Sequence, residues 1–190
     1  MKYYLLIFAA VIATSCNMTR RTPPPPPASH ATEGRSVAAA PAQINYHDQS
    51  TFLLGYFNPS MLRKEPHSEW FMKGFDDYMP SSQAMNALLD IPQDDLSIKI
   101  VMGTWCPDSR REVPRFMKIL DVWHFPETRV TFVGVNEDKI SPVGDFDKLH
   151  IERVPTFIIY KNNSEAGRII EVPKTSLEQD MVNILTGMNK

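Results

Sequence analysis

Gly103-Thr104-Trp105-Cys106-Pro107-Asp108-Ser109 is the stretch on which the reading of this chain turns. Before it, Ile98 to Met102 is a short apolar run with one lysine, the pattern of a buried strand. After it, Val113, Phe116, Met117, Leu120 and Trp123 recur at helical spacing across Ser109 to Trp123. A cysteine between a strand end and a helix start meets the unpaired N–H groups and partial positive charge of the helix N-terminus, which favour a thiolate. Asp108 opposes that charge, while Arg110 and Arg111 support it. In a dithiol redox site, Cys-x-x-Cys, the first thiolate attacks a disulfide and the second releases the mixed disulfide. Here Ser109 holds the second position. Its hydroxyl can donate a hydrogen bond to the sulfur but cannot attack a disulfide, so the candidate catalytic residues are Cys106 as nucleophile and Ser109 beside it.

Working outward, Pro114 falls in the first turns of the helix and is expected to kink it. Arg129 to Asn136 is β-branched and apolar, a second strand that a helical crossover makes parallel to the first. Thr156 to Tyr160 and Arg168 to Val172 flank the polar run Lys161 to Gly167 and read as a β-hairpin. Ser176 is an N-cap with Gln179 at N3, opening a closing helix whose inner stripe is Leu177, Met181, Ile184 and Leu185. Upstream, Trp70, Gly74 and Tyr78, with Phe71 and Phe75 beside them, mark one face of a helix that Pro80 stops. Asn58-Pro59 reads as an N-cap with proline at N1, and Ser82 to Asp90 as a further helix. The order strand, helix, strand, loop, hairpin, helix gives an α/β fold with a mixed sheet over residues 81–190. Residues 46–80 are a helical, aromatic-rich extension packed on it, its aromatics serving as core or lining a substrate groove.

The ends and the composition narrow the class. Lys2 followed by the apolar run Tyr3 to Thr14 reads as a signal peptide over residues 1–15, too short for a stable membrane span. Ala13-Thr14-Ser15-Cys16 resembles a bacterial lipobox, which makes Cys16 the candidate lipidation site. Acyl chains contribute roughly 0.8 kcal/mol per buried methylene, so several of them give a durable membrane anchor. Residues 16–45, with the run Pro23 to Pro27, read as a disordered tether that lifts the folded part off the lipid surface. A net charge of −2 without a basic cluster excludes nucleic acid as a partner. Two cysteines and five scattered histidines offer no metal-ligand spacing, so no metal and no cofactor are expected.

Trp105-Cys106-Pro107 after a strand, Pro114 in the following helix, and Val154-Pro155-Thr156 opening the hairpin together resemble the thioredoxin superfamily over about residues 82–190. Gly103 to Phe116 is similar to the bacterial membrane-anchored thioredoxin-like lipoproteins of the Bacteroidetes type. The resemblance implies a thioredoxin-like three-layer sandwich with a central mixed sheet, preceded by the helical extension. It implies a cis Pro155 facing Cys106, and a Val154 backbone that pairs with a bound polypeptide like an added strand. Trp105, Pro107, Val154 and Pro155 are then the substrate-binding surface. One departure goes with Ser109: thioredoxins place a buried aspartate six residues before the first cysteine, and Ile100 stands there.

The function these features imply is thiol–disulfide exchange or isomerisation on the bacterial cell envelope. The domain would lie outside the cytoplasm, on the periplasmic side, and act on cysteine-containing envelope proteins. An unidentified thiol donor or partner would resolve mixed disulfides on Cys106. Two other readings stand beside it. One is a redox-silent peptide-binding or chaperone module. The other is a thiol peroxidase, although peroxiredoxins carry threonine where this chain has Gly103.

Overall fold

Leu96 to Met102 alternates Ile98, Ile100 and Met102 with Lys99 and Val101, so one strand offers an apolar row to each side of a sheet near its C-terminal end. The computed structural model describes residues 44–188. The signal-peptide reading of residues 1–15, Cys16 and the tether as far as residue 43 lie outside the described residues. In chain order come β1 (Gly55–Phe57), α1 (Ser68–Asp77), α2 (Ser82–Leu89), β2 (Leu96–Met102), α3 (Pro107–Val122), β3 (Val130–Gly134), β4 (Thr156–Lys161), β5 (Ser164–Ile170) and α4 (Leu177–Thr186). They form a mixed five-stranded sheet of order β1-β3-β2-β4-β5. β2 and β3 are parallel, since α3 carries the chain between them, and the other pairings are antiparallel.

One face of the sheet carries Ile98, Ile100, Met102, Phe132, Phe157 and Ile159, and all four helices add to the same buried cluster through Phe71, Met85 and Leu88, Phe116, and Met181. Phe116 of α3 stacks on Phe157 with ring centroids 4.2 Å apart. The other face buries Val101 and Val133 with Val135, Phe146 and Val154. What covers this face is the segment 135–155, with one 3₁₀ turn at Phe146–Leu149. The sheet is therefore the middle of three layers, and the fold is the α/β thioredoxin-like class expected.

The structure refines several elements. β1 adds an antiparallel strand beside β3 within the stretch 46–80 read as helical. Gly134 makes room for the chain entering it: a Cβ at Gly134 would lie 1.8 Å from the Leu53 carbonyl oxygen. Asn58-Pro59 opens a 3₁₀ helix, Pro59–Arg63, with the Asn58 side chain accepting from Ser60 N. The hairpin turn is shorter than the polar run suggests, because Asn162 and Asn163 both take positive φ and Ser164 already pairs with Lys161. Pro114 lies inside α3 with its ring against α1, where a Cβ on Gly74 would come within 2.6 Å of Pro114 Cγ. The buried Glu178 of α4 ties that helix to the connection between α1 and α2, accepting from Tyr78 Oη and from Ser81 N at 2.8 Å each.

Candidate active site

Where β2 ends, the chain turns once and becomes helix. Cys106 N donates to Gly103 O at 3.0 Å, closing the turn, and Arg110 N donates to Cys106 O at 3.0 Å, opening α3. Cys106 is the N-cap, and Pro107 follows at a position where a helix has no use for an N–H. Gly103 is required by its neighbour, since a Cβ there would lie 2.4 Å from Trp105 Nε1. The indole is fixed by donating from Nε1 to the carbonyl of Val135 at 3.0 Å.

The Cys106 thiol is 7% exposed and donates to the Val154 carbonyl at 3.2 Å. The Val154–Pro155 peptide is cis. Two distant segments thus meet at the sulfur: Trp105, Cys106 and the exposed Pro107 from the head of α3, and buried Val154 and Pro155 from the loop before β4. Ser109 sits behind them, fully buried, and its hydroxyl accepts from Gly103 N at 3.3 Å. The expected hydrogen bond from Ser109 to sulfur is not formed among the described residues: the sulfur is aimed at Val154 and the serine at the turn. Ile100 lies in the cluster under the helices.

The charges divide unequally. Arg111 is taken up by Asp108 at 2.7 Å and by the buried Glu112 at 2.6 Å, and its affinity for its proton is raised chiefly by Glu112. Arg110 instead donates from Nη1 to the carbonyls of Thr104 at 3.2 Å and Trp105 at 2.8 Å. Burial lowers its pKa, with the Tyr46 hydroxyl and the Cys106 sulfur acting in the opposite direction. Of the two arginines expected to support a thiolate, Arg111 is taken by carboxylates and Arg110 holds the turn that carries Cys106.

His67, which precedes α1, is 3% exposed, and its Nδ1 has no hydrogen-bond partner among the described residues. Burial is the main cause that holds it below the usual histidine range. Nothing in its local sequence marked it, because its burial comes from tertiary packing. Among the described residues no group of three or more His, Cys, Asp or Glu is placed to hold a metal ion.

The α/β domain sets the Cys106 thiol at the N-cap of α3 against a loop with a cis proline. No family model matches the chain. It is 28% identical over 89 residues to thioredoxin 1 of Plasmodium falciparum (isolate 3D7), covering 47% of this chain and 80% of that one. It is 30% identical over 91 residues to a Dictyostelium discoideum protein named as a thioredoxin (thioredoxin-5), covering 47% of this chain and 82% of the relative. A solved structure of a Pseudomonas aeruginosa protein of unknown function shares 15% identity at a TM-score of 0.41, covering 64% of this chain and 77% of that one. The chain belongs to the thioredoxin family. At the family level these relatives suggest a function like that of a thiol–disulfide oxidoreductase.

Proposed function

We propose that this chain is an envelope thiol–disulfide oxidoreductase or isomerase that uses Cys106 as its single nucleophile and leaves release of the mixed disulfide to an external thiol. The observation that carries the reading is the pairing of Cys106, at the N-cap of α3 and 3.2 Å from Val154 O, with a buried Ser109 where a resolving thiol would stand. The Cys106 thiolate attacks one sulfur of a substrate disulfide, forming a mixed disulfide and expelling the other sulfur as a thiolate. In isomerisation a substrate thiolate attacks back, the Cys106 thiolate leaves, and no net electrons move. In reduction two electrons come from an external thiol donor. Ionising Cys106 also removes the hydrogen that Val154 O accepts, freeing that carbonyl for the N–H of a bound peptide. Trp105, Pro107, Val154 and Pro155 form the contact surface in this reading, and Ser109 supports the turn.

The same proposal takes the chain as a lipoprotein of the Bacteroidetes type. A signal peptide of residues 1–15 is removed, Cys16 is lipidated, residues 16–45 are the tether, 46–80 the aromatic extension and 81–190 the thioredoxin-like domain. No helix among the described residues is long and apolar enough to cross a membrane. The substrates are cysteine-containing envelope proteins. A second reading, a redox-silent peptide-binding module, is favoured by one observation: the thiol is almost fully buried and bonded to Val154 O. Capture of mixed disulfides from envelope extracts, with the adduct mapped by mass spectrometry, separates the two. Exchange predicts adducts on Cys106 and failure of Cys106→Ser to restore a deletion strain. Full restoration by Cys106→Ser, with no adducts, would establish the binding module.

A further inference from the structure

We infer that Arg110, clamped by Tyr46, is a positioning residue for Cys106; the inference rests on the reading of Cys106 as the nucleophile. The turn that presents the sulfur spans Thr104 and Trp105, whose carbonyls lie ahead of α3 and take no part in its hydrogen-bond ladder. Nη1 of Arg110 carries two N–H groups and bonds both carbonyls, at 3.2 Å and 2.8 Å, so one side chain from the first turn of the helix ties down the turn before it. The other side of the guanidinium is fixed as well. Its carbon lies 4.0 Å from the ring centroid of Tyr46, a residue placed ahead of β1, and both side chains are half-buried.

The charge around the sulfur gives Arg110 a second task. On α3, Asp108 and Arg111 neutralise each other, and Glu112 takes Arg111 and Arg115. On the cis-proline loop Arg153 is paired with Glu171 at 2.7 Å. His67 is buried and held below the usual histidine range, mainly by that burial, so it brings no full positive charge near pH 7. No carboxylate pairs with Arg110 among the described residues, so its charge meets the turn carbonyls directly and acts on Tyr46, Cys106 and His67 around them. A lysine would keep the charge and lose the flat face that stacks on Tyr46.

The test uses the full chain carrying Cys16→Ser, so that Cys106 is its one thiol, as the background for every variant, and follows attack of Cys106 on an aromatic disulfide, 5,5′-dithiobis(2-nitrobenzoic acid). In that reaction the Cys106 thiolate forms a mixed disulfide and releases one nitrothiobenzoate. Melting temperatures are recorded in parallel. Arg110→Gln should slow the reaction about tenfold, short of the roughly hundredfold that a 1 Å misplacement of a reacting atom can cost. Tyr46→Ala should slow it about threefold without touching the charge, since the stack alone is lost. Tyr46→Phe, which keeps the ring, should react at the wild-type rate, and Arg110→Lys should fall between Arg110→Gln and wild type. Where a variant lowers the melting temperature, Tyr46→Ala and Tyr46→Phe are compared well below both transitions, and a rate gap there supports the clamp. Rates within twofold of wild type for both Arg110→Gln and Tyr46→Ala, with Cys106→Ser inert, overturn the clamp and leave the nucleophile standing. Retained mixed-disulfide formation in Cys106→Ser overturns the nucleophile reading itself.

Discussion

The two faces of the sheet are built to different standards. Under the helices, Ile98, Ile100, Phe132 and Phe157 lie in one continuous core to which all four helices contribute. Under the segment 135–155, Val101, Val133, Phe146 and Val154 form a small satellite cluster that includes Cys106 itself. Burying one large apolar side chain stabilises a fold by roughly 1.5–3 kcal/mol, so the helical face carries most of the stability. The loop face carries the proposed chemistry. The division lets the loop before β4 bring Val154 and Pro155 to the sulfur without the scaffold depending on that contact.

The largest effect expected separates activity from stability. Cys106→Ser should abolish disulfide exchange while changing unfolding free energy by less than about 1 kcal/mol, since a serine hydroxyl can also donate to Val154 O. Exchange assays and urea unfolding on the same sample check it, and a large stability loss would place Cys106 in the scaffold instead. Next, Phe157→Ala, which removes the ring stacked on Phe116, should cost about 3–5 kcal/mol. Phe146→Ala, at the 8% exposed edge of the smaller cluster, should cost well under half of that. Equal costs would erase the contrast between the faces.

Gly134→Ala should cost about 1–3 kcal/mol and loosen β1, because the Leu53 backbone occupies the space of a Cβ. Hydrogen exchange confined to β1 and its partner strand would confirm where the strain goes. The smallest effect is in pH. His67 has a folded pKa below its ordinary 6.5, so the unfolded chain takes up the proton first as pH falls. Its contribution is complete above 6.5 and is lost as pH falls through the folded value. The urea midpoint should therefore drop less between pH 7.5 and 5.5 in His67→Gln than in wild type, and an unchanged slope would remove His67 from the account.

What the sequence disclosed follows from how local each feature is. α3 and the parallel pair β2 and β3 were legible because Val113, Phe116 and Leu120, and the run Ile98 to Met102, carry their periods within a few residues. β1 was not, since Gly55–Phe57 is too short to show a period and Tyr56 is 63% exposed. Its pairing depends on Gly134, far along the chain. β5 begins earlier than read because an edge strand keeps polar residues such as Ser164 and Glu165, which look like loop. At the site, Cys106 was legible from its place between a strand end and a helix start, and Trp105, Pro107, Val154 and Pro155 through the family resemblance. The aim of the sulfur at Val154 and the grip of Arg110 on the turn are tertiary, and no local pattern encodes them.

The central claim is that Cys106 attacks alone and has no built-in release. The direct measurement removes the second thiol with Cys16→Ser, mixes this reduced and otherwise wild-type full chain with a disulfide-containing protein, quenches with acid at intervals, and maps adducts by mass spectrometry with Ser109 in place and with Ser109→Cys. The wild type should accumulate an adduct on Cys106 that persists until a small thiol is added, while Ser109→Cys should discharge its own adduct by closing a disulfide between Cys106 and the introduced thiol. A wild-type chain that forms no adduct on Cys106, or that clears one without added thiol, would contradict the account.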